Sequence, residues 1–360
     1  MPTLKGAIKK VNAKFYPQKL FYNPSWIILC VNNACNLHCK MCDVGTKTTD
    51  SNFYQHMMCA QPINMPLDLL KNIIDQTAAY FPNTKLGYAF TEPSVYPHLI
   101  ESLAYANSKN IFTSLTTNGL QLAKQAEDLC KAGLKELNIS LDGPPDIHNF
   151  IRGHKQSFEK AFEGIEKILS LPNAPEVSIY CAITEWNIGR LYELTEIFKK
   201  IKIKQIGFMH TVYITDSMAQ KHNALFGEKY FASASNVEEV NLKNYNLNVL
   251  WQEYQKLKLN NFGFPVLFVP DLKSESDLKS YYETENFIGN FCNDAFSNIM
   301  IKTDGNVIPA HSRCYQVTTG NLRQNNLKEI WNSQTASAFR QDLLSAGGLL
   351  PACSRCCSAH

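Results

Sequence analysis

The sequence predicts an α/β protein: a partial (β/α)6 barrel followed by a small cysteine-rich α+β unit. Three observations carry this expectation. Six apolar, β-branched or aromatic runs alternate with amphipathic stretches between residues 26 and 211. That period stops at about residue 212. Six of the twelve cysteines gather in two short segments, Cys35–Cys42 and Cys353–Cys357.

The strand-like runs are Trp26–Val31, Lys85–Phe90, Ile111–Thr116, Glu136–Leu141, Val177–Ile183 and Gln205–His210, bounded by turn residues as strands are. Between the first two, Met65–Tyr80 puts Leu67, Leu70, Ile73, Ile74 and Ala78 on one helical face, with Pro66 and Asp68 in its first turn. Leu99–Ser108, Leu120–Lys131, Ser157–Leu169 and Ile188–Lys200 read as helices in the same way. Parallel neighbours need crossover helices, so six βα units in a row imply a parallel sheet. Six units are too few for a closed eight-stranded barrel, and the site belongs at the carboxyl ends of the strands.

The chain divides into an N-terminal extension (1–25), the barrel (26–211), a connector and lid (212–285) and the cysteine-bearing unit (286–360). The connector is rich in Asn, Lys and Tyr, with one helix near Asn248–Leu259 and one apolar run, Pro265–Val269. The last unit has a strand-like Asn298–Lys302, a turn at Asp304-Gly305, and helices near Leu327–Trp331 and Thr335–Leu344. Leu322 and Trp331 read as its core.

The 360 residues are 45% hydrophobic and 19% charged, which excludes a wholly disordered chain. No run approaches the roughly 18 apolar residues of a membrane helix, so no membrane is expected. The start lacks the apolar segment of a signal peptide, so a reducing, cytoplasmic compartment is expected, where cysteine clusters read as metal or redox sites. A net charge of +3, from 35 basic and 32 acidic residues, gives no support to a nucleic-acid partner.

Cys35-Asn-Leu-His-Cys39-Lys-Met-Cys42 follows the first strand directly. Three thiolates at this spacing can hold three irons of a cubane [4Fe–4S] cluster and leave the fourth open to a small molecule. A structural zinc loop is the alternative, but zinc prefers a fourth protein ligand. His38 could supply one only awkwardly from inside the loop.

The spacing resembles the radical SAM superfamily. Phe90-Thr91-Glu92-Pro93 is similar to the family's Gly-Gly-Glu-Pro-like segment, with the glycines replaced. Thr116-Thr117-Asn118-Gly119 resembles its T-N-G turn, Ser140-Leu-Asp142-Gly143 its S-x-D-G, and His148 with Arg152-Gly153 its H-x3-R-G. Met41 stands where the family usually has an aromatic near the adenine. The resemblance implies a TIM-like partial barrel with a cluster on Cys35, Cys39 and Cys42. It assigns the amino group of S-adenosylmethionine (SAM) to Glu92 and places Thr117 and Asn118 near its ribose and methionine. It adds Ser140 and Asp142 as cofactor contacts, and Arg152, whose guanidinium suits a carboxylate. The implied chemistry is one-electron cleavage of SAM to a 5′-deoxyadenosyl radical that abstracts a substrate hydrogen. The electron comes from a donor such as flavodoxin or ferredoxin.

The tail runs Cys292, Asp304-Gly305, Cys314, Gly320-Asn321, Trp331, Arg340 and Cys353-Ser-Arg-Cys356-Cys357. Its order resembles the SPASM/twitch extensions of radical SAM enzymes. The resemblance implies one auxiliary [4Fe–4S] cluster on Cys292, Cys314, Cys353 and Cys356, with Cys357 the alternative to Cys356. Five cysteines are too few for two fully ligated cubanes. In the commonest pattern the second ligand falls at Ala310, so His311 is a substitute candidate for Cys314. A zinc site with four cysteine ligands is the other reading.

Cys30, Cys130 and Cys181 read as buried thiols. Cys59 is an ordinary loop cysteine or a hydrogen-atom donor to a substrate radical. His210, at the end of the sixth strand, is a substrate contact or a satisfied polar group. The expected function is a radical SAM oxidation of a small polar metabolite, assisted by the auxiliary cluster. The alternatives are a peptide- or protein-modifying maturase and an epimerase. Only 34 residues precede Cys35, too few for the peptide-recognition domain that many maturases carry.

Overall fold

Ile27 and Leu29 are fully buried and alternate with half-buried Trp26 and Ile28, the two-residue period of an extended chain. They form strand β1, Trp26–Leu29. The computed structural model describes residues 4–58, 63–235, 240–309, 315 and 317–359. Five further strands match the expected barrel: β2 (Lys85–Tyr88), β3 (Thr113–Thr117), β4 (Glu136–Ser140), β5 (Glu176–Ala182) and β6 (Gln205–Met209). Four more follow: β7 (Val266–Val269), β8 (Asn298–Ile301), β9 (Asn306–Ile308) and β10 (Gly320–Asn321).

All ten lie in one sheet, in the order β10-β9-β8-β1-β2-β3-β4-β5-β6-β7. Neighbours from β8 through β7 are parallel, and β9 and β10 turn back antiparallel. The edges are β10 and β7, so the sheet does not close and the barrel is partial. The crossover helices are Leu67–Tyr80, Leu99–Ser108, Leu122–Lys131, Ser157–Ser170 and Leu191–Ile197.

Two strands extend the expected six. Pro265–Val269, read as part of a connector and lid, supplies β7, which pairs with β6 in the register Ile206↔Val266. Asn298–Ile301, assigned to the tail unit, supplies β8, which pairs with β1 in the register Trp26↔Asn298. The parallel part therefore has eight strands. β7 escaped the periodic reading because it is four residues between Pro265 and Pro270, far from its partner in sequence. On the helix Leu67–Tyr80 the buried face is Leu69, Leu70, Ile73, Ile74 and Thr77. Ala78, expected on that face, is exposed, because one residue turns the face by about 100°.

One continuous core runs under the helices. A second, small cluster of Cys30, Phe53, Met300 and Ile308 joins β1, β8 and β9. The tail helices Leu327–Trp331 and Gln334–Ser345 clamp the segment before β1. Arg340 donates to the Pro17 carbonyl (2.9 Å) and the Trp331 carbonyl (3.0 Å), and Trp331 Nε1 donates to the Tyr22 carbonyl (2.9 Å). Among the described residues, no helix is long and apolar enough to cross a membrane.

Phe268 on β7 stacks on Phe208 of β6 at 5.2 Å and on Tyr254 of the helix Leu247–Leu259 at 4.1 Å. If β7 is a true barrel strand, Phe268→Ala costs about 3–5 kcal/mol, the usual result of emptying a buried aromatic site. Chemical denaturation of the metal-free chain reads this. A loss well under 1 kcal/mol would mean that the 212–285 region is a detachable lid.

Candidate functional site

Beyond β1 the chain runs through Cys30, Val31, Asn32 and Asn33, all buried, into the cysteine loop. The loop is braced from three sides. Glu92 N donates to the Ala34 carbonyl (3.2 Å), Asn118 Nδ2 to Asn36 Oδ1 (2.8 Å), and Lys40 N to the Ile151 carbonyl (2.9 Å). Gly45 makes room as well: a Cβ there would stand 2.5 Å from the Cys39 carbonyl oxygen. Within the loop Cys39 is buried, Cys42 half-buried and Cys35 exposed. Burial pushes the Cys39 thiol up to about 12, with the Arg152 guanidinium opposing that rise. Metal binding must displace that proton, because only the thiolate is a ligand.

Arg152 ends the helix Pro145–Arg152, and Gly153 follows in the left-handed region (φ 66°). Its Nε donates to Asp142 Oδ2 (2.5 Å) and its Nη1 lies 3.7 Å from the Cys39 sulfur. Asp142 is fully buried, and its Oδ1 accepts from Ala182 N (2.9 Å). Its own N–H donates to His148 Nδ1 (3.0 Å). That bond puts the imidazole proton on Nε2, and burial keeps the ring neutral, well below the ordinary histidine range.

Glu92 is 1% exposed. Its Oε1 accepts from Thr117 Oγ1 (2.6 Å) and Ser94 N (3.0 Å), and its Oε2 from Asn118 N (2.7 Å). The structure thus joins Glu92, Thr117 and Asn118 in one unit and Asp142, Arg152 and Cys39 in another. Ser140 is half-buried at the end of β4. His210 is buried, with Nδ1 2.8 Å from the Tyr282 hydroxyl and its ring among Phe268, Tyr281 and Tyr282. Cys59 lies outside the described residues.

In the tail, Cys292 pairs antiparallel with Ala359, and Asn293 N donates to the Ser358 carbonyl (3.3 Å). This brings Cys292 beside the closing cysteines. Cys292 and Cys353 are both buried, which raises both thiols; the Cys292 shift also reflects the nearby Cys353. The Tyr315 hydroxyl lies 2.7 Å from the Cys353 sulfur and opposes that rise. Cys356 and Cys357 are half-buried. Cys314 and His311 lie outside the described residues. Among the described residues no three His, Cys, Asp or Glu side chains already converge on a metal position. The fit to iron–sulfur clusters therefore rests on the donor set: two groups of soft thiols, the ligands such clusters require.

One link joins the two cysteine sites. Ser235 Oγ donates to Oδ2 of Asp43, next to Cys42, at 2.8 Å. Ser235 also pairs with Ile214. Val212, Tyr213, Ile214 and Ser235 then line a cleft with Tyr315, Cys353 and Cys356. Neither Ser235 nor the Glu92–Asn118 unit was legible in the sequence, because each contact joins residues far apart in the chain.

Burial holds His210 down at about 3, against about 6.5 for a free imidazole. Between those values the unfolded chain binds a proton that the folded chain excludes. Stability from this group is therefore complete above about pH 6.5 and is lost as pH falls toward 3. His210→Gln should flatten the acid side of a plot of urea midpoint against pH. An unaltered slope would mean that the imidazole is charged in the folded protein.

Comparison with known proteins agrees with this geometry. Residues 29–196 match the Radical SAM superfamily model, and residues 292–357 match the SPASM iron–sulfur cluster-binding domain. A GTP 3',8-cyclase of Helicobacter pylori is 29% identical over 220 residues, 57% of this chain and 65% of that protein. The chain thus spans a little under two thirds of that relative. A tungsten-containing aldehyde ferredoxin oxidoreductase cofactor-modifying protein of Pyrococcus furiosus is 22% identical over 92% of this chain and 86% of its own length. Streptococcus suis SuiB, solved with S-adenosylmethionine, shares the fold with a TM-score of 0.63 at 17% identity, over 96% of this chain and 76% of that one. The chain belongs to the radical SAM superfamily, as an enzyme with a C-terminal SPASM domain whose cofactors are S-adenosylmethionine and [4Fe–4S] clusters, an auxiliary cluster included.

Proposed function

We propose that this enzyme oxidises a small polar metabolite, removing a hydrogen atom and then an electron. When bound, SAM and its cluster would supply the hydrogen-abstracting radical chemistry, and the auxiliary cluster would supply an acceptor for the electron, the substrate's proton leaving with it. The observation that carries this reading is the short connection between the two cysteine sites, Asp43 to Ser235 to the Cys353–Cys356 cleft. An acceptor joined to the radical site through this strip suits a net oxidation. Polar side chains at the strand ends, among them Asn32, Thr117, Asn118, Thr184 and Thr211, suit a polar substrate.

In this reading Cys35, Cys39 and Cys42 hold the first cluster. Cys292, Cys314, Cys353 and Cys356 hold the second. Cys356 is preferred over Cys357 because it lines the cleft with Cys353. Thr117, Asn118, Ser140 and Arg152 contact SAM. Glu92 and Asp142 act one step behind, since their carboxylates are occupied in holding Thr117, Asn118 and Arg152. A flavodoxin- or ferredoxin-like protein supplies electrons. His210 and Cys59 remain candidates for contact with the substrate.

A second reading is modification of a peptide. Its support is the fold likeness to SuiB, which has also been solved bound to its precursor peptide SuiA (TM-score 0.62, 16% identity).

The test is anaerobic reconstitution followed by iron and product analysis. Two cubanes predict about eight irons per chain, and about four in a variant with Cys35, Cys39 and Cys42 changed to Ala. With SAM and reductant, a metabolite pool should yield a product short of two hydrogens, one per 5′-deoxyadenosine released. A product that keeps all its hydrogens, or turnover on peptides alone, would sink the proposal.

A further inference from the structure

Arg355 lies inside the closing Cys353-Ser-Arg-Cys356-Cys357 segment and is 1% exposed. Its Nε donates to the Tyr213 hydroxyl (3.2 Å). Nη1 donates to the carbonyls of Asn286 (2.7 Å) and Ser354 (2.8 Å), and Nη2 to those of Ser280 (3.0 Å) and Thr284. These contacts use all five guanidinium donors, and every acceptor is neutral. Among the described residues no carboxylate pairs with it, whereas the buried Arg152 has Asp142.

A buried charge without a counter-ion is costly. Part of the compensation is local, because Ser280 and Thr284 offer carbonyls at the C-terminal end of the helix Glu275–Glu283, where the helix dipole is negative. Caging by neutral acceptors does not by itself set Arg355 apart from Arg340. Arg340 too is buried among neutral acceptors, and burial holds it down at about 10. Arg340, however, serves only to clamp the segment before β1.

Arg355 differs by its position. Cys353 and Cys356 flank it, and Cys356 N donates to the Cys353 carbonyl (3.0 Å). The Tyr281 ring lies 5.1 Å from the guanidinium carbon, and its hydroxyl donates to the Arg355 carbonyl (3.3 Å). Once the tail cysteines are thiolate ligands, the cluster they hold is net negative, and more so after reduction than before. A fixed positive charge nearby favours the reduced form. Net charge and burial are among the levers that set cluster potentials.

We infer that Arg355 is the built-in counter-charge of the auxiliary cluster and raises its reduction potential, making it a better electron acceptor. The Arg355 side chain donates nothing to sulfur, so it acts through its charge, as a positioning residue for the electron rather than a catalytic one. Only the source of that electron rests on the proposed oxidation.

The test is a redox titration followed by electron paramagnetic resonance. It uses the full chain with Cys35, Cys39 and Cys42 changed to Ala, so that the tail cluster gives the signal. Arg355→Gln removes the charge and Arg355→Lys keeps it. Arg355→Gln should weaken the cluster's hold on the electron at least tenfold, a fall of about 59 mV for a one-electron couple. Arg355→Lys should stay near the wild-type potential. An unshifted potential in Arg355→Gln with its iron retained overturns the inference, and so do equal shifts in both variants. If Arg355→Gln loses its iron, Arg355→Lys decides. Iron retained at the wild-type potential supports a role in charge; iron lost there too means a purely structural guanidinium. The titration needs neither substrate nor SAM. A shifted potential beside a redox-neutral product would therefore sink the oxidation reading and leave this one standing.

Discussion

The buried Asp142 carboxylate is the point on which the site turns. It holds Arg152 at 2.5 Å and the Ala182 N–H of β5 at 2.9 Å. Its backbone engages His148 through the N–H and Asn187 through the carbonyl. Five elements therefore meet at one residue with no solvent contact: β4, β5, the loop after β5, the helix Pro145–Arg152 and, through Arg152, the cysteine loop. A carboxylate in such a place is costly to leave without partners, and the arrangement tolerates little displacement. The position of the Cys39 sulfur is set from here as much as from its own loop. Glu92 does for the turn after β3 what Asp142 does for the helix. Each acid that the family pattern marks is turned inward, where it orders the groups facing the site.

The two cysteine sites are built differently. The first is a loop pinned by backbone bonds to its neighbours, with its thiols spread from exposed to buried. The second is a junction of two distant segments, Cys292 and the closing run, zipped together by the Cys292–Ala359 pairing. A loop of the first kind can leave an iron open to a small molecule, whereas the buried junction suits a fully ligated group that exchanges only electrons. The strip from Val212 to Ser235 touches both sites and gives their spacing a fixed ruler.

Much of the barrel was legible because each of its first six strands is an apolar run between clear helical periods. Leu99–Ser108 could be read to the residue. What escaped depended on distance. Val266–Val269 carries no local sign that its partner lies some sixty residues back in β6, nor does Asn298–Ile301 announce β1. The face of Leu67–Tyr80 was set one residue off at its end, because Ala and Thr differ too little in hydropathy to rank Ala78 against Thr77. At the site, the cysteine spacing and the Glu92, Thr117, Asn118, Asp142 and Arg152 positions were visible as motifs. Their directions were not. A spacing names which residues meet, but only packing decides that Glu92 faces Thr117 and that Arg152 is shared between Asp142 and Cys39.

β8 joins β1 across roughly 270 residues of chain, and Met300 and Ile308 close over Cys30 and Phe53 on the inner side of the sheet. During synthesis the ribosome delivers the cysteine loop early and the strand that covers its root late. Such a long-range pairing is slow to form. For most of its time as a nascent chain, the protein carries three thiols beside an open seam.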